Sequence, residues 1–237
     1  MSYKGFKILT VIPARGGSKG IPRKNLRKIA GISLVGRAAG VARSLDWIDR
    51  TVVSTDDVDI AAEGRKYGAE VPFIRPKELS GDESNSVDMW RHAWLESEAH
   101  FQEQFDLSIL LEPTSPLRRP EDVTRTLEAL IESDCDAAAT FSRAPAHFTP
   151  HKCLTIDENS IVGFYHKEGR QFSIRQKIPD YYFRNGICYA VKKNTLIEKG
   201  MIIEENCKAI IIERPVVNID DQHELEVAEF MYKKYYV

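Results

Sequence analysis

Apolar and polar positions come in alternating blocks along the chain. Phe6 to Ile12 is a short apolar run ending at Pro13, the pattern of a buried strand. Ser33 is placed to cap a helix through about Ser44, with Leu34, Ala38, Val41 and Leu45 on one face. Thr51 to Thr55 is β-branched and predicts a second strand. Asp56 or Asp57 then opens a helix that Gly68 closes, and Glu70 to Ile74 predicts a third short strand. Val87, Trp90, Trp94 and Phe101 recur at helical spacing, a stripe that reads as core packing. Leu107 to Leu111 predicts a strand stopped at Pro113, Glu121 to Glu132 a helix, and Ala137 to Phe141 a strand. Ile187 to Val191 and Ala209 to Ile212 return to strand character before a last helix from Gln222 to Tyr235.

Strands separated by helices of about ten to twenty residues predict an α/β fold with a mostly parallel sheet and helices on both faces. The stretch from Ser142 to Pro179 breaks the rhythm. It is polar, holds Pro145, Pro150 and Pro179, and contains two short alternating pieces, Cys153 to Ile156 and Ile161 to Tyr165. It predicts a small β-rich arm, residues 142–180, inserted into a single domain spanning 1–237.

Composition narrows the function classes. The 237 residues are 43% hydrophobic and 29% charged, an ordinary globular balance. Net charge is −2, from 33 basic and 35 acidic side chains, so nucleic acid and anionic membrane are not expected partners. No apolar run approaches the ~20 residues that span a bilayer, and Met1 to Lys7 carries no signal-peptide core. The four cysteines, Cys135, Cys153, Cys188 and Cys207, show no metal spacing and predict reduced packing thiols in a cytoplasmic protein.

In open α/β sheets ligands bind beyond the carboxyl ends of the strands. The loop leaving the first strand reads Pro13-Ala14-Arg15-Gly16-Gly17-Ser18-Lys19-Gly20-Ile21-Pro22-Arg23-Lys24-Asn25. Its glycines let backbone amides approach an anion, and Arg15, Lys19, Arg23 and Lys24 offset several negative charges. It has neither P-loop nor GxGxxG spacing, which speaks against a dinucleotide-dependent oxidoreductase. It predicts a polyphosphate site.

This loop resembles the signature of the acylneuraminate cytidylyltransferases, or CMP-sialic acid synthetases, which join CTP to sialic, legionaminic, pseudaminic and related nonulosonic acids. The resemblance implies a Rossmann-like three-layer sandwich and a magnesium-dependent nucleotidyl transfer. It also implies a homodimer in which the arm serves dimerisation and acceptor binding. Ala14, Arg15, Gly16, Gly17, Ser18, Lys19 and Asn25 would hold the nucleotide, with Arg15 and Lys19 on its phosphates. A later polar stretch matches at Asp82 and Ser86, which would contact cytosine and ribose; by residue type alone, Ser84, Asn85 or Ser86 equally suits a helix cap.

Leu111-Glu112-Pro113-Thr114-Ser115-Pro116-Leu117-Arg118 is the second match. The family has glutamine at the first polar position; Glu112 here exchanges an amide for a carboxylate. Glu112, Thr114, Ser115 and Arg118 would line the acceptor side, joined by Arg175, Asn185 and Gly186. The family's Asp-Ile-Asp metal motif reads Asn218-Ile219-Asp220. On an extended strand these alternate residues share a face, so Asn218 and Asp220 are the expected metal ligands and Asp220 the third catalytic residue beside Arg15 and Lys19. Asp221 with Glu224 reads as a capping box for the last helix. The alternatives are a cytidylyltransferase for a Kdo-like acid and a non-catalytic nucleotide- or sugar-binding protein.

Overall fold

The computed structural model describes residues 3–172 and 177–236. In chain order its strands are β1 (Ile8–Pro13), β2 (Lys28–Ile29), β3 (Ile32–Ser33), β4 (Arg50–Ser54), β5 (Leu107–Leu110), β6 (Ala137–Arg143), β7 (Leu154–Ile156), β8 (Val162–Phe164), β9 (Tyr182–Lys192) and β10 (Cys207–Ile211). The α-helices are α1 (Leu34–Arg43), α2 (Val58–Lys66), α3 (Ser86–Phe101), α4 (Pro120–Ile131), α5 (Lys193–Ile197) and α6 (Gln222–Tyr235).

Six strands form one sheet in the order β10-β6-β9-β5-β1-β4. β9 runs antiparallel to both its neighbours, while the β1–β4, β1–β5 and β10–β6 pairs are parallel. The expected Rossmann-like α/β sandwich is present. Side-chain alternation divides the core. Ile8 and Ile12 face a cluster with α1, α2 and α4 residues, and Leu9 and Val11 face one with α3. Trp90 and Trp94 are fully buried in the second cluster. Each buries about 150–250 Å2, a gross gain of about 4–6 kcal/mol at ~25 cal/mol per Å2. Trp90 Nε1 donates to Ser108 Oγ at 2.8 Å, so the indole's polar edge is satisfied inside the core.

Ser33 caps α1 and Asp57 caps α2; Asn85, among the three candidates, caps α3. Gly68 stands at φ +93 just past α2. One expected strand is missing. Glu70 to Ile74 makes only a single bridge, Val52 with Glu70, beyond the sheet's edge. The β2–β3 hairpin and α5 have no counterpart in the hydrophobic pattern, being too short to show a period. The Ser142–Pro179 segment leaves from the end of β6 and returns at β9, with the β7–β8 hairpin as its regular part among the described residues.

A third, smaller cluster matters most for function. Ile21 and Ile29 from the first loop and hairpin pack with Leu34, with Ile219, and with Leu225 and Ala228 of α6. It clamps the late polar segment to the first loop.

Candidate active site

Four polar segments converge beyond the carboxyl ends of β1 and β5. They line a cleft of about 360 Å3 that includes Arg15, Gly17, Ser18, Lys24, Asn25, Arg75, Asp82, Ser86, Glu112, Thr114 and Asp220. The contacts between segments are specific. Lys24 Nζ donates to the Ile219 carbonyl at 2.9 Å and to Asp220 Oδ1 at 3.0 Å. The Ile219 amide donates to the Thr114 carbonyl at 2.8 Å. Gly20 lies so close to the Asp220 carbonyl that a β-carbon would overlap it. Asn25 is buried and its Nδ2 donates to the Arg15 carbonyl at 2.9 Å, bracing the loop from within.

The first loop's cations are engaged. Arg15 Nη2 lies 3.0 Å from Asp82 Oδ1, and Lys19 Nζ 2.8 Å from Asp82 Oδ2. The hydrogen bond from Lys19 and the charge of both cations hold the Asp82 carboxyl below the usual aspartate range. Arg15 Nη1 also donates to the Gly81 carbonyl at 2.7 Å. The Gly16 amide is spent on Asp56 Oδ1 at 2.8 Å, and the buried Ala14 amide on the Ser54 carbonyl at 2.9 Å. Among the loop residues named from the sequence, Gly16 and Ala14 shape the turn, while Arg15, Gly17, Ser18 and Asn25 line the cleft.

The second turn is built on a buried arginine. Arg118 is 5% exposed. It donates through Nη2 to the Glu112 carbonyl at 2.8 Å and the Gly186 carbonyl at 3.1 Å, and through Nε to the Ile187 carbonyl. Burial pulls its guanidinium down to about 10. Ser115 Oγ donates to the Asn185 carbonyl at 2.7 Å. The β6–β9 ladder shifts register between Ala139 and Phe141. Asn185 fills that irregularity: its Oδ1 accepts from Thr140 Oγ1 at 2.7 Å and its Nδ2 donates to Ser142 Oγ at 3.0 Å. Gly186, at φ +69, then passes close to Glu112, Ser115 and Asn218, where a side chain would collide. The structure therefore places Glu112 and Thr114 on the cleft wall, with Ser115, Arg118, Asn185 and Gly186 behind it as its scaffold. Arg175 lies outside the described residues.

Residues 216–220 belong to no strand of the sheet; Val217 and Ile219 pack into the third cluster. The Asp220 side chain is 79% exposed and paired with Lys24. Asn218 Oδ1 is buried without a hydrogen-bond partner among the described residues, while its Nδ2 reaches Glu112 Oε2 at 3.4 Å. Burial raises the Glu112 carboxyl above the usual glutamate range. An orphaned amide oxygen on a residue that touches the Glu112 carboxylate, with the Asp220 carboxylate two residues on, offers the oxygen donors that a small hard cation takes, so the residue types fit magnesium. Asp221 and Glu224 form the expected capping box, with Glu224 Oε2 also accepting from the Asp220 amide at 2.6 Å.

Two cleft residues were not singled out from the sequence for roles in the site. Lys24 stood out only as one of four loop cations, yet it is the one that ties the two distant segments together. Arg75 is 5% exposed, lines the cleft and donates through Nε to Ser54 Oγ at 3.0 Å; burial pulls it down to about 10. Its signal was present: an arginine followed by Pro76 at the end of an apolar run beside the sheet.

The sequence matches the cytidylyltransferase family over residues 9–229. The chain belongs to the cytidylyltransferases. A flagellin modification protein of Campylobacter coli is 30% identical to this cytidylyltransferase over 96% of each chain. A CMP-N,N'-diacetyllegionaminic acid synthase of Campylobacter jejuni is 33% identical, covering 95% of this chain and 94% of its own. Among solved structures, a CMP:2-keto-3-deoxy-manno-octonic acid synthetase complexed with CTP superposes with a TM-score of 0.71 at 18% identity, covering 96% of this cytidylyltransferase and 99% of that chain. That likeness is one of fold.

Proposed function

We propose that this cytidylyltransferase transfers the cytidylyl group of CTP to the C2 hydroxyl of a nine-carbon 2-keto sugar acid of the sialic, legionaminic or pseudaminic type. The C2 hydroxyl releases its proton to water, its oxygen forms a bond to the α-phosphorus, the bond from that phosphorus to the α,β-bridging oxygen breaks, and pyrophosphate leaves. The observation that carries this reading is the single cleft in which the cationic first loop faces Glu112, Thr114 and Asp220. Curated relatives named for legionaminic and pseudaminic acids, at 33% and 29% identity, support the acceptor class.

Arg15, Lys19 and Lys24 supply positive charge for the triphosphate from the loop, and Ser86 lies on the nucleotide side of the cleft. Glu112 and Thr114 face the acceptor from the turn after β5. Asp220 and Asn218, with Glu112 adjacent, would hold Mg2+, whose chemistry is to neutralise phosphate charge. The protein's own contribution is to hold two anions together against their repulsion, which turns a bimolecular encounter into a positioned one. The reading extends to a homodimer joined through the arm, supported by exposed Leu154, Ile156, Val162 and Phe164 on its hairpin. It places the enzyme in the cytoplasm, consistent with four free cysteines.

The test is pyrophosphate release with CTP and Mg2+ across sialic, legionaminic, pseudaminic and Kdo acids. Release with at least one nonulosonic acid above the Kdo rate is expected. Release with Kdo alone, or with none, rejects the acceptor class.

A further inference from the structure

The arm carries a cluster that nucleotidyl transfer does not use. His151, His166 and Glu168 present ligand atoms that all lie within 4.8 Å of one another. The imidazoles of His151 and His166 are 4.4 Å apart between centroids, and Phe172 packs 4.0 Å from His151 as an apolar wall. Tyr181 OH bonds His151 Nδ1 at 2.9 Å, which fixes the ring and leaves Nε2 as its open nitrogen. An outer partner of this kind is what orients a metal-bound histidine.

We infer that His151, His166 and Glu168 form a structural site for a divalent transition ion of the zinc class. Two imidazoles and one carboxylate are the donors that suit zinc and its borderline neighbours, whereas magnesium prefers oxygen alone. Bonds of about 2.0–2.2 Å to a tetrahedral ion set ligand atoms about 3.3–3.6 Å apart, so the cluster closes by roughly an ångström. Glu168 is exposed and free to supply that movement; His151 is buried and already fixed.

The position gives the ion a task. His151 precedes β7 and His166 follows β8, so one ion would cross-link the two feet of the hairpin. That hairpin leaves Leu154, Ile156, Val162 and Phe164 exposed and has little core of its own. Small units without a core are commonly held by metals or disulfides.

The experiment uses chelator-treated full-length protein titrated with Zn2+ by calorimetry and with Co2+ by visible absorption. Limited proteolysis of the arm is followed in parallel. One equivalent of zinc is expected, unaffected by excess Mg2+, with Co2+ bands of a low-coordinate nitrogen–oxygen site and slower cleavage between residues 142 and 181. His166→Gln and Glu168→Gln weaken zinc binding at least about tenfold, and Tyr181→Phe about tenfold through the outer partner. His223→Gln, exposed on α6 and outside the arm, leaves it unchanged. His166 and Glu168 are the primary targets because they are more accessible than His151. Absence of stoichiometric zinc binding overturns the site. So does wild-type affinity in both the His166 and Glu168 variants, or binding that is lost only in Cys153→Ser.

Discussion

Lys24 and Asp220 are 196 positions apart in sequence, yet Lys24 Nζ lies 3.0 Å from Asp220 Oδ1. The lysine side chain is 15% exposed and the aspartate 79%, so the pair sits at the mouth of the cleft with its cation rooted in the wall. Lys24→Ala is expected to raise KM for CTP at least tenfold, because it removes a cation and frees the Asp220 segment. Gly20→Ala is expected to destabilise by about 1–3 kcal/mol through collision with the Asp220 carbonyl. Gly17→Ala, which meets open space, should be tolerated. Thermal melts and CTP kinetics on the three variants check this, and equal stability of the two glycine variants would contradict it.

Asp82 occupies both Arg15 and Lys19, two of the loop cations proposed to meet the triphosphate. The carboxylate therefore competes with phosphate for them. Asp82→Asn is expected to tighten binding of inorganic triphosphate severalfold in calorimetry. Weaker binding in the variant would show that Asp82 assists phosphate binding.

Glu112 faces the cleft beside Asn218, and its carboxylate is the side chain that departs from the family's glutamine. Glu112→Gln is expected to change the ranking of kcat/KM across nonulosonic acids while leaving KM for CTP within about twofold. An unchanged ranking would remove Glu112 from acceptor selection.

Much of this site was legible before the structure because its parts are local. The loop after β1 announces itself by glycines and cations, the turn after β5 by two prolines, and the cap of α6 by Asp221 and Glu224. The burial of Trp90 and Trp94 followed from their spacing alone. What was not legible depends on the third dimension. Nothing in the chain's pattern says that Asn185 fills a shift in the ladder, or that Arg118 turns inward onto three carbonyls. The reach of Lys24 to Asp220 is set by Ile21, Ile219 and Leu225 meeting in one small cluster. The expected strand at Glu70 to Ile74 failed for a similar reason. Val71 and Phe73 pack against the two core clusters while Ile74 stays exposed, and after the single bridge at Glu70 no ladder forms.

Glu98 is the group through which acid should act on the fold. Burial alone would raise its carboxyl. Hydrogen bonds from Lys193 at 2.7 and 2.9 Å, the Phe105 amide at 3.0 Å and Trp94 Nε1 at 3.0 Å outweigh this and lower it. A carboxyl lowered in the folded state adds stability above its unfolded pKa, and that stability is lost as pH falls through the folded value. Glu98→Gln is expected to cost about 1.5–3 kcal/mol at pH 7. The difference from wild type should shrink as pH falls below the ordinary glutamate range. Denaturant melts at pH 7 and about pH 3 measure this, and a gap that widens in acid would reverse the assignment.

Arg118 separates a scaffold role from a substrate role. Its guanidinium satisfies three carbonyls inside the protein, and the residue does not line the cleft. Arg118→Lys keeps the charge but cannot reproduce the planar fork, so at least one buried carbonyl loses its donor. Each such orphan costs about 1–3 kcal/mol. The variant is therefore expected to melt markedly lower than wild type. Where it remains folded at reduced temperature, it should retain its ranking of acceptors. A variant with wild-type stability but a raised KM for the sugar acid would instead place Arg118 in contact with substrate.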